Sequence, residues 1–307
     1  MKILITGGAG YIGTELTYHL SQLNGVEQIV IYDNLSRKNY NLFLMERHLP
    51  DRKIRFEAAD ILDSYKLEKI VKEVDVVFHL AAKVTTPFAN EDPHIFEQVN
   101  HWGTAELSYA LENTEIDKLI YLSSMSVYGS SETPVTVETN PRPNTYYGIS
   151  KLNGEKMIER LSEKNRTFIL RCGNVYGYSR SMRFDAVINK FMFGAHFQNF
   201  IQIEGNGEQQ RPFIHIDSLV QALIKVLQID MASGIYNLFD ENRSVNQIVG
   251  SLKQIYPKLE SLHTLKDIEL RSLMAAKDPT IEKLDVIESP DLNSKLKDFS
   301  QKFSFLP

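Results

Sequence analysis

"MKILITGGAGYIG", residues 1–13, is the stretch whose reading decides the fold. A short apolar run, "KILIT" (2–6), stops at glycines, and helical spacing begins at Tyr11. Gly7, Gly10 and Gly13 therefore sit directly after a strand and open a helix. Glycine is needed there for three reasons. It permits the tight turn, lets a pyrophosphate approach the backbone, and allows the helix to pack closely on the strand. The helix N-terminus then faces the phosphates with its unpaired N–H groups. The alternative is a glycine-rich turn without ligand. With one lysine and an apolar run that breaks at glycine, the segment reads as a first strand rather than a signal peptide.

Outward from this stretch the same rhythm repeats. Apolar runs suited to strands occur at "QIVIYD" (28–33), "KIRFEAAD" (53–60), "VDVVFHLA" (74–81), "KLIYLSS" (118–124) and "TFILR" (167–171). Amphipathic helical stretches such as 11–23 and 94–113 separate them. Strands that alternate with helices imply a parallel sheet covered on both faces, and continuous apolar runs fit strands buried on both sides. After Arg171 the pattern changes to loop-like sequence, then helices at 185–195 and 218–228, the latter with Asp217 as its N-cap. A last strand is expected at "GIYNLF" (234–239) and a terminal helix in 289–303. The fold class is thus α/β, a Rossmann-like doubly wound parallel sheet with a smaller mixed α/β substrate domain. Residues 1–171, with about 215–244, are expected to form the first domain, and 172–214 plus 245–307 the second.

Composition narrows the function. The chain has 307 residues, enough for an ample core, and a formal net charge of −5, which argues against nucleic-acid or anionic-membrane partners. No apolar run reaches the roughly 18 residues of a membrane span. One cysteine, Cys172, excludes an internal disulfide framework and fits a reducing cytoplasm, so a cytoplasmic enzyme is expected. No paired His, Asp or Glu spacing suggests a metal.

Three further features carry chemistry. Asp33 ends the second strand, where a carboxylate accepts hydrogen bonds from ribose hydroxyls and repels a 2′-phosphate, favouring NAD over NADP. Its alternative role is to cap the next helix. "LSSMSVYG" (122–129) lies at a strand's carboxyl end, where open α/β sheets bind ligands. In "TYYGISK" (145–151), Tyr147 and Lys151 stand at i and i+4 and share a helix face, whereas Tyr146 points elsewhere.

Together the glycine triplet, Asp33, "HLAA" (79–82), Ser124, Tyr147-x-x-x-Lys151 and "RCGNVYG" (171–177) resemble the extended short-chain dehydrogenase/reductase superfamily, within it the NAD-dependent nucleotide-sugar epimerase/dehydratase branch. The resemblance, over residues 1 to about 240, implies Tyr147 as base, Ser124 as hydrogen-bond partner of the reacting hydroxyl, and Lys151 as support for the phenolate and the nicotinamide ribose. It implies cofactor contacts from Gly7, Gly10, Tyr11, Ile12, Gly13, Asp33, Asn34, Asp60, Ile61, Leu80, Ala81, Ala82 and Lys83. Substrate contacts are implied for Thr85, Ser124, Ser126, Tyr147, Asn174 and Arg211. A nucleotide-sugar partner and a homodimer, paired through helices at about 94–113 and 147–163, are further implications. A nearby cationic lysine and nicotinamide would lower the phenol from its ordinary value near 10.

Two departures matter. Related sugar dehydratases carry an acidic pair after the catalytic hydroxyl, and decarboxylating relatives a glutamate at the second position; here Met125 and Ser126 stand there. Many relatives also carry a late Arg-x-Gly-Asp segment whose arginine clamps the diphosphate. Its counterpart "MAAKDPT" (274–280) keeps Asp278 but lacks the arginine and glycine, leaving Lys277 or Arg271 as substitutes. Epimerisation of a UDP-hexose at C4 is the expected activity, with a dehydrogenase or ketoreductase of a small carbonyl compound as the alternative.

Overall fold

The computed structural model describes residues 1–44, 53–84, 92–264, 272–283 and 291–305. Among them the strands are β1 (Lys2–Thr6), β2 (Gln28–Asp33), β3 (Ile54–Ala58), β4 (Val76–His79), β5 (Lys118–Ser124), β6 (Arg166–Cys172), β7 (Asn174–Tyr176), β8 (Phe200–Glu204), β9 (Gln210–His215), β10 (Gly234–Leu238), β11 (Glu241–Ser244) and β12 (Glu260–Thr264). The α-helices are α1 (Tyr11–Ser21), α2 (Ser64–Ile70), α3 (Pro93–Phe96), α4 (Gly103–Glu112), α5 (Tyr146–Glu159), α6 (Val187–Gln198), α7 (Ile216–Gln228), α8 (Val245–Ile255), α9 (Pro279–Lys283) and α10 (Leu292–Ser300).

Seven strands form one sheet in the order β10-β6-β5-β4-β1-β2-β3, every neighbouring pair parallel. The chain begins at β1, builds outward to β3, then crosses back to β4. That reversal between β1 and β4 leaves a crevice at their carboxyl ends, the place where such sheets bind ligands. Both faces are covered. One side packs α1 and α7 against Ile3, Ile5, Ile29, Ile31 and Phe168; the other packs α2, α4 and α5 against Leu4, Val30, Val77, Leu119 and Tyr121. This explains the apolar runs read from the sequence, since alternate residues of each strand face different but equally dry layers.

Two expectations need correction. The helix expected over 94–113 is broken by a π-helical stretch, Glu97–Trp102, between α3 and α4. Inside it Asn100 is fully buried and bonds away from the helix axis. The N-cap of α7 is His215, whose Nδ1 accepts from the Asp217 N–H at 3.3 Å; Asp217 lies in the first turn instead. A carboxylate there complements the helix dipole without capping it.

The expected loop after Arg171 contains β7, which pairs with β9 in a three-stranded sheet of order β11-β9-β7; β8 and β12 form a two-stranded one. A separate apolar cluster joins Ile188, Phe191, Met192, Ile248, Leu252, Leu296 and Phe299 from α6, α8 and α10. We propose this cluster as the core of the smaller domain. No helix among the described residues is long and apolar enough to cross a membrane.

Candidate active site

The glycine loop leaves β1 at Gly7, whose φ is +73°, a left-handed conformation that favours glycine. A Cβ at Gly7 would lie 2.7 Å from the Ala81 nitrogen, so the loop and the end of β4 approach as closely as backbones can. Thr6 ties the same two strands: its Oγ1 meets His79 Nδ1 at 2.6 Å and accepts from the Ala81 N–H at 3.3 Å. His79 Nε2 meets Thr104 Oγ1 at 2.8 Å on α4. Burial pushes the His79 imidazole down to about 3, so it is a neutral clamp.

Asp33 accepts from the Ala9 N–H at 3.0 Å and the Leu35 N–H at 2.8 Å, which places its carboxylate against the glycine loop. Burial raises this carboxyl and the two backbone donors oppose the rise. It caps no helix. Asn34 donates to Asp60 at 2.7 Å, and Asp60 accepts from the Leu62 N–H, gathering Asp33, Asn34, Asp60 and Ile61 along the β2–β3 edge. Arg37 donates to the Val84 carbonyl and pairs with Asp185 at 3.6 Å. Tyr11 is buried, and its phenol donates to the Gly177 carbonyl at 2.7 Å, so only its backbone remains at the loop. Ile12 is partly buried beside it.

Leu80, Ala81, Ala82 and Lys83 continue from β4 as a partly buried segment. Asn100 holds its end twice, accepting from the Lys83 N–H at 2.7 Å and donating to the Lys83 carbonyl at 3.1 Å, with a third bond to Ser150 Oγ at 3.0 Å. The loop, the open face of this segment and the Asp33 carboxylate together fit a dinucleotide: N–H groups for a pyrophosphate and an acceptor for ribose. Thr85 lies outside the described residues.

At the carboxyl end of β5, strand alternation separates the two serines. Ser123 turns inward to the Glu155 carboxylate, which also holds Arg171 in a buried ion pair at 2.7 Å. Ser124 accepts from the Ser126 N–H at 3.1 Å, and its hydroxyl lies close enough to Tyr147 to lower the phenol. Thr145 caps α5 through the Gly148 N–H at 2.9 Å. A Cβ at Gly148 would lie 2.5 Å from the Ser126 carbonyl, so this glycine lets the helix start lie on the serine loop. Tyr147 is 9 % exposed and packs against Phe96, whereas Tyr146 is 44 % exposed. Of the two adjacent tyrosines, Tyr147 is the one in the site.

Lys151 is anchored beneath the same helix. Its ammonium donates to the Leu122 carbonyl at 2.7 Å and lies over the Tyr121 ring. Burial raises the Tyr147 phenol, while the Ser124 hydroxyl and then the Arg183 guanidinium pull it down. Lys151 itself is pushed down to about 7 by burial, against the opposing pull of Glu155. Desolvation outweighs the i, i+4 pairing.

Ser124, Ser126, Asn174 and Arg211 line one pocket with Met125, Gly129, Asn144, Thr145, Cys172, Gly173, Pro212 and Leu273. None of these lining residues carries a carboxylate. Asn174 donates to the Pro212 carbonyl at 3.3 Å. Met125 and Ala275, the position in register with the missing late arginine, are buried in one apolar cluster with Val127, Tyr128 and Phe239. Lys277 does not replace that arginine, because its ammonium is bonded to the carbonyls of Phe239 and Asp240. Arg271 lies outside the described residues. Cys172 is a buried thiol raised by burial. No cluster of metal-binding side chains occurs among the described residues.

Sequence reading missed Asn100, Arg183 and the Glu155–Arg171 pair. Asn100 and Arg183 sit in a helix irregularity and a loop, which carry no periodic signal. The pair was discoverable only as two charges inside otherwise buried elements.

Comparison with known proteins agrees with this geometry. Residues 3–238 match the family model described as the NAD dependent epimerase/dehydratase family. A putative UDP-glucose 4-epimerase of Methanocaldococcus jannaschii is 31% identical over 261 residues, covering 82% of this chain and 81% of that protein. The dTDP-D-glucose 4,6-dehydratase of Homo sapiens is 29% identical over 268 residues, 85% and 75% of the two chains. A UDP-glucuronic acid 4-epimerase from Bacillus cereus, solved in complex with UDP-glucuronic acid and NAD, superposes with a TM-score of 0.85 at 25% identity over 98% of each chain. The crevice at the β1–β4 reversal and the Ser124–Tyr147–Lys151 constellation thus belong to an enzyme of the NAD-dependent epimerase/dehydratase family, with NAD as its cofactor.

Proposed function

We propose that this enzyme epimerises a nucleotide-sugar, a UDP-hexose, at C4 through a transient keto-sugar. The observation that carries the reading is the pocket at the Ser124–Tyr147 end of α5, which has hydroxyls and an arginine but, among the described residues, no lining carboxylate. Eliminating water from the sugar, or decarboxylating it by the routes of its relatives, calls for an acid where Met125 and Ser126 stand. Hydride transfer alone calls for none.

The chemistry NAD would supply when bound is reversible acceptance of hydride at its nicotinamide. The residues named above for the glycine loop, Asp33–Asn34, Asp60–Ile61 and 80–83 would hold the cofactor. Tyr147, beside Ser124, takes the proton of the C4 hydroxyl as the carbonyl forms and gives it back on reduction. Arg183 favours the phenolate over the phenol. Lys151, anchored on Leu122, keeps a cation under the same helix face and is placed to hold the nicotinamide ribose. Asn174 and Arg211 hold the diphosphate, the tether about which the keto-sugar turns its other face to the hydride donor. Ser126 borders the sugar.

A second reading, an NAD-dependent dehydrogenase or ketoreductase of a sugar or other small carbonyl compound, draws on Ala275 and the altered late segment. We also propose a homodimer. Trp102, Tyr109, Tyr146 and Ile149, on and beside α4 and α5, are exposed at 39 to 52 %, as a shared helical interface would require. Light scattering that gives a monomer mass would refute the dimer.

The direct test is a proton NMR time course with a panel of UDP-sugars and catalytic NAD. The reading expects a new anomeric signal that approaches a fixed ratio with no net NADH. NADH formed in step with substrate loss would establish the dehydrogenase instead, and a 6-deoxy-4-keto product the dehydratase.

A further inference from the structure

By the pattern of its relatives, the diphosphate end of the pocket has one arginine too few. Ala275 occupies that position, 3 % exposed, with its N–H donating to Asn242 Oδ1 at 3.0 Å and its carbonyl accepting from Asn242 Nδ2 at 2.9 Å. β11 therefore runs alongside the altered segment. The next residue on β11 is Arg243, and the antiparallel β9–β11 register sets it directly opposite Arg211. Residues so opposed carry their Cβ atoms on one face about 4.5–5.5 Å apart, where two like charges destabilise the sheet. Arg243 meets Glu241 through Nη2 at 2.6 Å, but its Nε is buried with no hydrogen-bond partner among the described residues. An unspent N–H on the guanidinium of a residue opposed in register to Arg211 leaves a donor in the planar fork that matches phosphate oxygens.

We propose that Arg243 is the second cation of the diphosphate site, gripping the nucleoside diphosphate of the substrate opposite Arg211 and serving in place of the late-segment arginine. The proposal rests on the nucleotide-sugar reading and says which residues of this chain complete it. Glu241 is then an internal counter-ion that the diphosphate displaces from Arg243.

Isothermal titration of the NAD-loaded enzyme with UDP and with UMP tests this, using Arg243→Met, Arg211→Met and Glu241→Gln. In R243M, UDP binding is expected to weaken about tenfold or more, as for loss of a charge-assisted hydrogen bond, and UMP binding far less. In E241Q, which keeps the guanidinium and frees it, UDP is expected to bind about threefold more tightly. A folded R243M that binds UDP like the unmodified enzyme, or one that loses UDP and UMP equally, overturns the assignment. Should R243M fail to fold, unchanged UDP affinity in E241Q overturns it alone. If the unmodified enzyme binds NAD but neither UDP, dTDP nor GDP, the nucleotide-sugar reading itself falls, and this assignment with it.

Discussion

The two ends of the crevice follow different plans. At the cofactor end, β1, β4 and α4 are locked together by backbone contact at Gly7 and by the Thr6–His79–Thr104 chain, all of it buried. At the other end the proposed diphosphate ligands Asn174, Arg211 and Arg243 lie at partly covered or exposed positions of β7, β9 and β11. There Arg211 and Arg243 stand opposite one another and Ala275 fills the position of an arginine. A site for one invariant cofactor can be rigid and spelled out in sequence. A site that chooses among sugars and nucleotides is assembled from exposed strands and loops, where one residue can be exchanged for another on a neighbouring element.

The sharpest break in this comparison comes at the join of the two ends. Tyr147→Phe keeps the packing against Phe96 but removes the proton carrier, and kcat is expected to fall by about 10²–10⁴-fold with NAD affinity unchanged. Steady-state kinetics beside an NAD titration checks this. On the rigid side, Arg171→Met leaves the Glu155 carboxylate buried without its partner and is expected to cost about 3–5 kcal/mol of stability in urea denaturation. Asn100→Ala frees both backbone groups of Lys83 and should weaken NAD binding by about 1–3 kcal/mol, with the UDP dissociation constant unchanged.

Lys151 gives a pH signature. Its folded value, pushed down to about 7 by burial, lies below the ordinary lysine value of 10.5, so between these values the unfolded chain binds the extra proton. Stability therefore rises with pH across that window, and the cost of burying the charge is fully present below about 7. Urea midpoints of Lys151→Met against the unmodified enzyme should diverge most at the acid end and converge toward pH 10. The smallest effect belongs to the substrate side: Lys277→Ala, which removes bonds to the carbonyls of Phe239 and Asp240 and the contact over the Phe239 ring, should change UDP affinity by no more than about twofold.

The same contrast explains what could be read from sequence. β1, β2 and β5 matched their apolar runs residue for residue, because strands buried on both faces leave a continuous signal. Tyr147 followed from its spacing to Lys151. β11 and β12 did not show, since "ENRS" and "ESLHT" are mostly polar and are held by pairing rather than burial. Arg183 escaped because no periodicity marks the loop that brings it near Tyr147. The depth of Tyr147 burial escaped for another reason: charge neighbours can be guessed from spacing, but burial cannot.

The central claim is that hydride leaves the sugar and returns to the same molecule. A UDP-hexose deuterated at C4, incubated with catalytic unlabelled NAD, tests it most directly by mass spectrometry and NMR of the product. The account predicts a C4 epimer that retains its deuterium at C4. Product with protium at C4, or deuterium accumulating in the nicotinamide pool, would contradict it.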